Sequence, residues 1–127
     1  MATWSQIAQI LESSKAFPAR LVEQYLYVVN IPTDKGRTQD VYISLQEDNI
    51  TFRSVICELN KVDLNKLFRS EFIQKIPYGL GPVGDYLTIK HAQKIETLDI
   101  DELAAPIAEL SQFADYVENA LTGGDLF

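Results

Sequence analysis

The apolar positions along this chain recur with two different periods, and the change of period marks its elements. Between residues 25 and 58 the period is two. Tyr27, Val29 and Ile31 share one side of the first run, with Leu26 and Val28 on the other. Tyr, Val and Ile fit a pleated surface, and apolar residues on both sides suit a central strand or one covered on both faces. Pro32 cannot donate to a ladder and ends the run, and TDKGRT at 33–38 has turn and charge chemistry. Val41, Ile43 and Leu45 then alternate with Tyr42 and Ser44 in a second strand. Asp48-Asn49 tolerates positive φ and predicts a tight hairpin. The third strand starts with Ile50 and Phe52 and loses phase at Ser54, after which Val55 and Cys57 take over. A bulge near Arg53-Ser54 would restore one apolar face. The alternative is a strand buried on both faces with one small polar residue. The three strands read as a meander.

On either side the period changes to that of a helix. Residues 3–17 place Trp4, Ile7, Ile10, Leu11 and Ser14 on or near one face, and Thr3 with Gln6 forms a capping-box pattern. Phe17-Pro18 ends this helix. The stretch PARLVEQ at 18–24 reads either as a short second turn or as a lead-in to the first strand. After the meander, Asp63 caps a short helix with a stripe of Leu64, Leu67, Phe68 and Phe72, ending by Ile76. PYGLGPVGD at 77–85 is a glycine and proline loop. Alternation resumes from about Tyr86 to Ile95, with a short partner strand inside 78–83. Asp99 with Glu102 opens the longest helix, in which Leu103, Ile107, Leu110, Ala114, Val117 and Leu121 repeat at spacings of four and three. Pro106 either bends this helix or marks a later start. Gly123-Gly124 stops it, and the tail DLF is expected to fray. The fold class is α+β. An antiparallel sheet (the three-strand meander plus one or two C-terminal strands) packs with an N-terminal helix, a short middle helix and a long C-terminal helix.

At 127 residues the chain is expected to form one domain, 1–127, with a sizeable core. No apolar run reaches membrane-spanning length, so no membrane association is expected. MATWSQIAQ has no signal-peptide pattern, and a single cysteine fits a reducing compartment, so a cytoplasmic location is expected. The net charge of −7, with no Lys/Arg stripe, argues against nucleic acid as a partner. From Glu96 to Phe127 there are eight acidic residues and no basic one. That segment is either a solvated helix face or a docking surface for a basic segment.

Candidate chemistry is sparse. GLGPVG at 79–84 spells the dinucleotide pattern G-x-G-x-x-G. That chemistry needs a strand running into a helix, whereas YLTIK alternates as a strand and Pro82 interrupts the loop, so a tight connection is the expected role. Cys57 and His91, the only cysteine and histidine, would have to be adjacent and accessible to act as a nucleophile pair. A closed Cys/His zinc cluster lacks the four ligands it needs. No catalytic, cofactor or metal residues are therefore assigned.

Tyrosines in or beside strands remain as the clue to an interface, because Tyr is amphipathic and common there. Tyr25, Tyr27, Tyr42 and Tyr86, with Leu103, Ile107 and Leu110 on the long helix, form the candidate partner-binding or dimer surface.

The element order, the size and the acidic balance, together with LDIDELAAPIAELSQFADYVENAL at 98–121, resemble the type III secretion chaperone-like fold, which includes Tir-type chaperones and the YbjN family. The resemblance implies an α+β domain with helices on one side of the sheet, often dimeric, that binds an extended segment of a partner protein without catalytic residues. A non-enzymatic protein-binding domain is thus the leading expectation, with another protein's segment as partner and a homodimer as a candidate assembly. The alternative is a small enzyme or ligand-binding domain built on 77–91, using His91, Asp85 and a tyrosine. The seam from Leu103 to Leu121 must bury either against the sheet or against a second copy.

Overall fold

The computed structural model describes residues 2–14, 18–33 and 36–123. The helix end expected at Phe17, part of the 33–38 turn, the side chain of Phe72 and the DLF tail lie outside the described residues. Six antiparallel strands form one sheet in the order β1-β2-β3-β4-β6-β5, with β1 Ala19–Glu23, β2 Leu26–Pro32, β3 Thr38–Gln46, β4 Asn49–Glu58, β5 Gly79–Val83 and β6 Tyr86–Lys94. The helices are α1 Trp4–Ser13, α2 Leu64–Arg69 and α3 Ala104–Gly123. This is the expected α+β class, with two C-terminal strands and one strand more at the start.

That additional strand, β1, settles the reading of residues 18–24. It pairs with β2 through a two-residue turn at Gln24 and Tyr25, and Tyr25 adopts φ 64. The β3–β4 turn lies one residue earlier than expected, because Gln46 pairs with Asn49 and Glu47 takes the left-handed conformation at φ 57. The β4 bulge falls at Val55–Cys57 rather than at Arg53-Ser54. Ser54 stays in phase and faces inward because its polar group is satisfied there. It shares its hydroxyl hydrogen between Gln39 Oε1 (3.1 Å) and the Asp40 carbonyl (2.8 Å).

The sequence signals for the helix starts correspond to real caps. Thr3 and Gln6 exchange both bonds of a capping box, and Asp63 accepts from the Lys66 amide. Asp99 caps a separate 3-10 turn, Ile100–Glu102, and α3 begins at Ala104. Pro106 therefore sits in the first turn of α3, where its missing N–H is one of those a helix leaves unbonded anyway.

One buried cluster unites the elements. It takes Ile7 and Leu11 from α1, Leu67 from α2 and Leu103, Ile107, Leu110, Ala114 and Val117 from the α3 segment, all against a single face of the sheet. On that face Leu21, Tyr27, Ile43, Phe52 and His91 stand opposite one another in a row across five strands. Phe52 and Ile43 are fully buried, and each such side chain stabilises by about 2 kcal/mol. Helix α3 lies over β3, β4 and β6, and α1 lies beside β1. Val28, Tyr42 and Val55 alternate to the other face and belong to no part of this cluster.

Candidate functional site

The two ends of the sheet differ. At the β5 end, Pro82 removes a backbone donor from the edge, which discourages pairing. At the β1 end no proline intervenes, and Leu21, Val22 and Tyr25 are 56%, 48% and 46% exposed. Leu21 is the outer member of the inward row, so the apolar layer between helices and sheet runs out to the surface here. Val22 lies in the irregular step between Leu21 and Glu23, without a register partner on β2.

Helix α1 holds this end in place from both of its termini. The Trp4 ring stands edge-on to Tyr25 at 6.2 Å and tilted to Tyr27 at 6.0 Å. At its other end Glu12 accepts a hydrogen bond from the Tyr27 hydroxyl. Burial, and then this carboxylate acceptor, push the Tyr27 phenol up to about 12. The backbone carbonyl of Tyr25 accepts from the Leu45 amide at 3.0 Å, which ties the turn to β3. The outer edge of β1 is thus a supported rim whose backbone groups, among the described residues, have no strand partner on one side.

A second feature lies between the entry to β3 and α3. Thr33, Arg37, Gln112, Phe113, Asp115, Tyr116 and Asn119 line an open concavity of about 620 Å³. Its wall is an ion pair. Arg37 Nε and Nη2 donate to Asp115 Oδ1 and Oδ2 at 2.9 and 3.0 Å. These hydrogen bonds hold the Asp115 carboxyl below the usual carboxylate range. Glu118, one turn on, is pushed up by burial and by the Asp115 charge. Gln39 donates to Glu118 at 3.3 Å and accepts from Ser54, so the network crosses from helix to sheet. Its members come from three distant stretches of sequence, and no local pattern announces it.

The residues singled out from the sequence part company in space. Tyr25 and Tyr86 are exposed, but at the β1–β2 and β5–β6 turns respectively. Tyr27 is buried under α1, and Tyr42 is half-buried on the helix-free face. Leu103, Ile107 and Leu110 are buried within the chain, where their seam meets the sheet. Tyr78, just before β5, donates to Glu109 at 2.5 Å and packs on Phe113 and His91. Leu21 and Val22 were not singled out, because PARLVEQ shows no clean alternation.

Of the alternative chemical site, His91 meets one tyrosine, Tyr78, but Asp85 does not join them. His91 is half-buried, stacked on Phe52 and bonded through Nε2 to Gln93 Oε1 at 2.9 Å. Asp85 lies beyond the opposite end of β6, in a shallow cleft with Glu58, Leu59, Asn60 and Tyr86. Cys57 faces Leu87, four residues along β6 from His91, or about 13 Å. Burial and then the Glu118 charge push its thiol up, away from the thiolate form. GLGPVG forms an edge strand and a hairpin turn with Gly84 at φ 59, and a strand rather than a helix follows. Among the described residues no three His, Cys, Asp or Glu side chains converge as a metal site, and no helix is long and apolar enough to cross a membrane.

No family model and no curated protein matches the chain. Among solved structures it is similar to a chain of the ExsC–ExsE complex, with a TM-score of 0.63 and 10% identity, over 92% of this chain and 91% of that one. At that identity the likeness is one of fold alone.

Proposed function

We propose that this protein is a non-enzymatic, chaperone-like binding protein that takes up an extended segment of another protein as an added strand on β1. The observation that carries the reading is the unguarded β1 edge, with Leu21, Val22 and Tyr25 exposed along it. Strand addition draws affinity from main-chain hydrogen bonds and specificity from alternate side chains. Here the incoming side chains would meet the apolar layer where it surfaces at Leu21 and the Trp4–Tyr25 pair. A fold likeness to a chain solved in a two-protein complex supports the same reading. Tyr42 and Tyr86, remote from β1, are left for other contacts. A cytoplasmic location is part of the proposal, and the single cysteine supports it. A homodimer, as the chaperone resemblance implies, would use a surface other than the buried α3 seam.

The test is capture of a defined partner by wild-type protein and by Leu21→Asp and Val22→Asp variants. Both positions are exposed, so the fold should tolerate the change. A partner held at one-to-one stoichiometry by wild type and lost by both variants supports the reading. Retention by both variants contradicts it.

A further inference from the structure

The helix-free face of the sheet carries a row of side chains that the core does not explain. Across all six strands, Arg20 stands opposite Val28, Val28 opposite Tyr42, Tyr42 opposite Arg53, Arg53 opposite Lys90 and Lys90 opposite Gly79. Arg53 and Lys90 are like charges directly opposed, an arrangement that costs stability. Neither they nor Arg20 has a carboxylate partner among the described residues, in a chain of net charge −7. Glu23, opposite Leu26, and Glu58, opposite Tyr86, stand on this face at its outer strand ends, away from the row. Asp40 accepts from Asn30 at 2.8 Å, and Lys94 pairs with Asp48 at 2.7 Å.

Two further observations point to something seated there. Gly79 and Gly81 alternate onto this face, opposite Lys90 and Thr88. Neither has a positive φ, and an added Cβ would meet only ordinary contact at Gly79 and open space at Gly81. Nothing within the chain requires glycine at either position, and glycine within a strand often marks close approach by another backbone. In the neighbouring row, Ser44 is 6% exposed and its Oγ has no hydrogen-bond partner. A buried hydroxyl without a partner is costly unless a bound group completes it.

We infer that this face docks an acidic, extended polypeptide segment. Its backbone passes over Gly79 and Gly81, and its carboxylates meet Lys90 and Arg53. Tyr42 and Val28 form the apolar floor beyond. A two-fold pairing of this face with a second copy would bring the cationic row against itself. The acidic helix of a second copy would make a head-to-tail contact that need not close. The chain's overall negative charge disfavours a nucleic-acid strand. The inference rests on the reading of the chain as a binding protein but uses a different surface from β1. Its test uses a defined peptide, so its failure is separate from failure to hold a partner at β1.

The experiment is a heteronuclear NMR titration of the whole protein with a short peptide alternating Glu and Thr. Parallel titrations use its Gln-for-Glu counterpart and an oligothymidylate of similar length. The acidic peptide should shift Tyr42, Arg53, Lys90 and Gly81, and bind about tenfold more tightly than the Gln peptide. Arg53→Gln/Lys90→Gln should abolish that difference without lowering the melting temperature, because a like-charge pair is removed. Gly81→Val should weaken binding, whereas Lys61→Gln/Arg69→Gln, off this face, should not. Equal binding of the two peptides overturns the inference, as do shifts that map to α2. Tighter binding of the oligothymidylate reassigns the face to nucleic acid. Concentration-dependent broadening of the same residues without peptide reassigns it to self-association.

Discussion

Arg37 and Asp115, 78 residues apart in sequence, meet in a two-pronged ion pair that joins the start of β3 to the middle of α3. Asp115 is buried at this contact, while the Arg37 side chain remains 33% exposed. Removing the cation leaves a buried carboxylate uncompensated. Arg37→Met should therefore destabilise by about 2 kcal/mol, less than for a fully buried pair because water reaches the guanidinium. The sign with pH follows from the depressed Asp115 carboxyl. The stability it contributes is present above the unfolded carboxylate value and is lost as pH falls through the folded one. Urea unfolding of wild type and Arg37→Met should show a gap at pH 7 that narrows below about pH 4.

Glu118 behaves in the opposite sense. Burial and the neighbouring Asp115 charge raise its carboxyl, so the folded state favours the protonated form. Its ionisation opposes folding at neutral pH, and that penalty fades as pH falls through its folded value. Glu118→Gln should raise the melting temperature by a few degrees at pH 7 and by nothing near pH 4, as read by calorimetry.

The seam of α3 is satisfied inside the chain. Leu110 is fully buried within the same cluster as Phe52 and Ile43. Leu110→Ala should cost about 3 kcal/mol, in the range of other buried leucine truncations. Leu110→Ala should leave the mass by light scattering as in wild type, since this seam is buried within one chain.

Two tyrosines set an alkaline limit. Tyr27 and Tyr78 both donate to glutamates and are pushed to about 12, mainly by burial. Their unfolded value is about 10. The folded state thus holds protons that the unfolded state releases, and stability falls as pH rises from about 10 to 12. Ultraviolet phenolate titration should show two late-ionising tyrosines. Tyr27→Phe/Tyr78→Phe should remove them and flatten the decline in melting temperature.

The fold was readable where periodicity was strong and capping was local. Thr3–Gln6, Asp63, the run Val41–Leu45 and the α3 seam each announce their element in a few residues. The hairpins were less readable, because Tyr25 and Glu47 hold left-handed conformations for which glycine or asparagine is the usual marker. Tyr25 is kept there by tertiary contacts with Trp4 and Leu45, which no short window contains. The position of the β4 bulge was hidden by Ser54, an inward polar residue whose partner Gln39 lies on another strand. The candidate surface followed the same rule. Tyr25 and Tyr42 were visible as amphipathic side chains. The exposure of Leu21 and Val22, and the cross-strand row of Arg53 and Lys90, arise only from strand order.

The central claim is that β1 receives a partner strand, and amide hydrogen exchange tests it most directly. Free protein should exchange rapidly along Ala19–Glu23 on the side that β2 leaves unpaired. With a bound partner segment, those amides should slow by at least about tenfold, because new main-chain hydrogen bonds form. A partner that binds and protects other elements while Ala19–Glu23 exchanges as before would contradict the account.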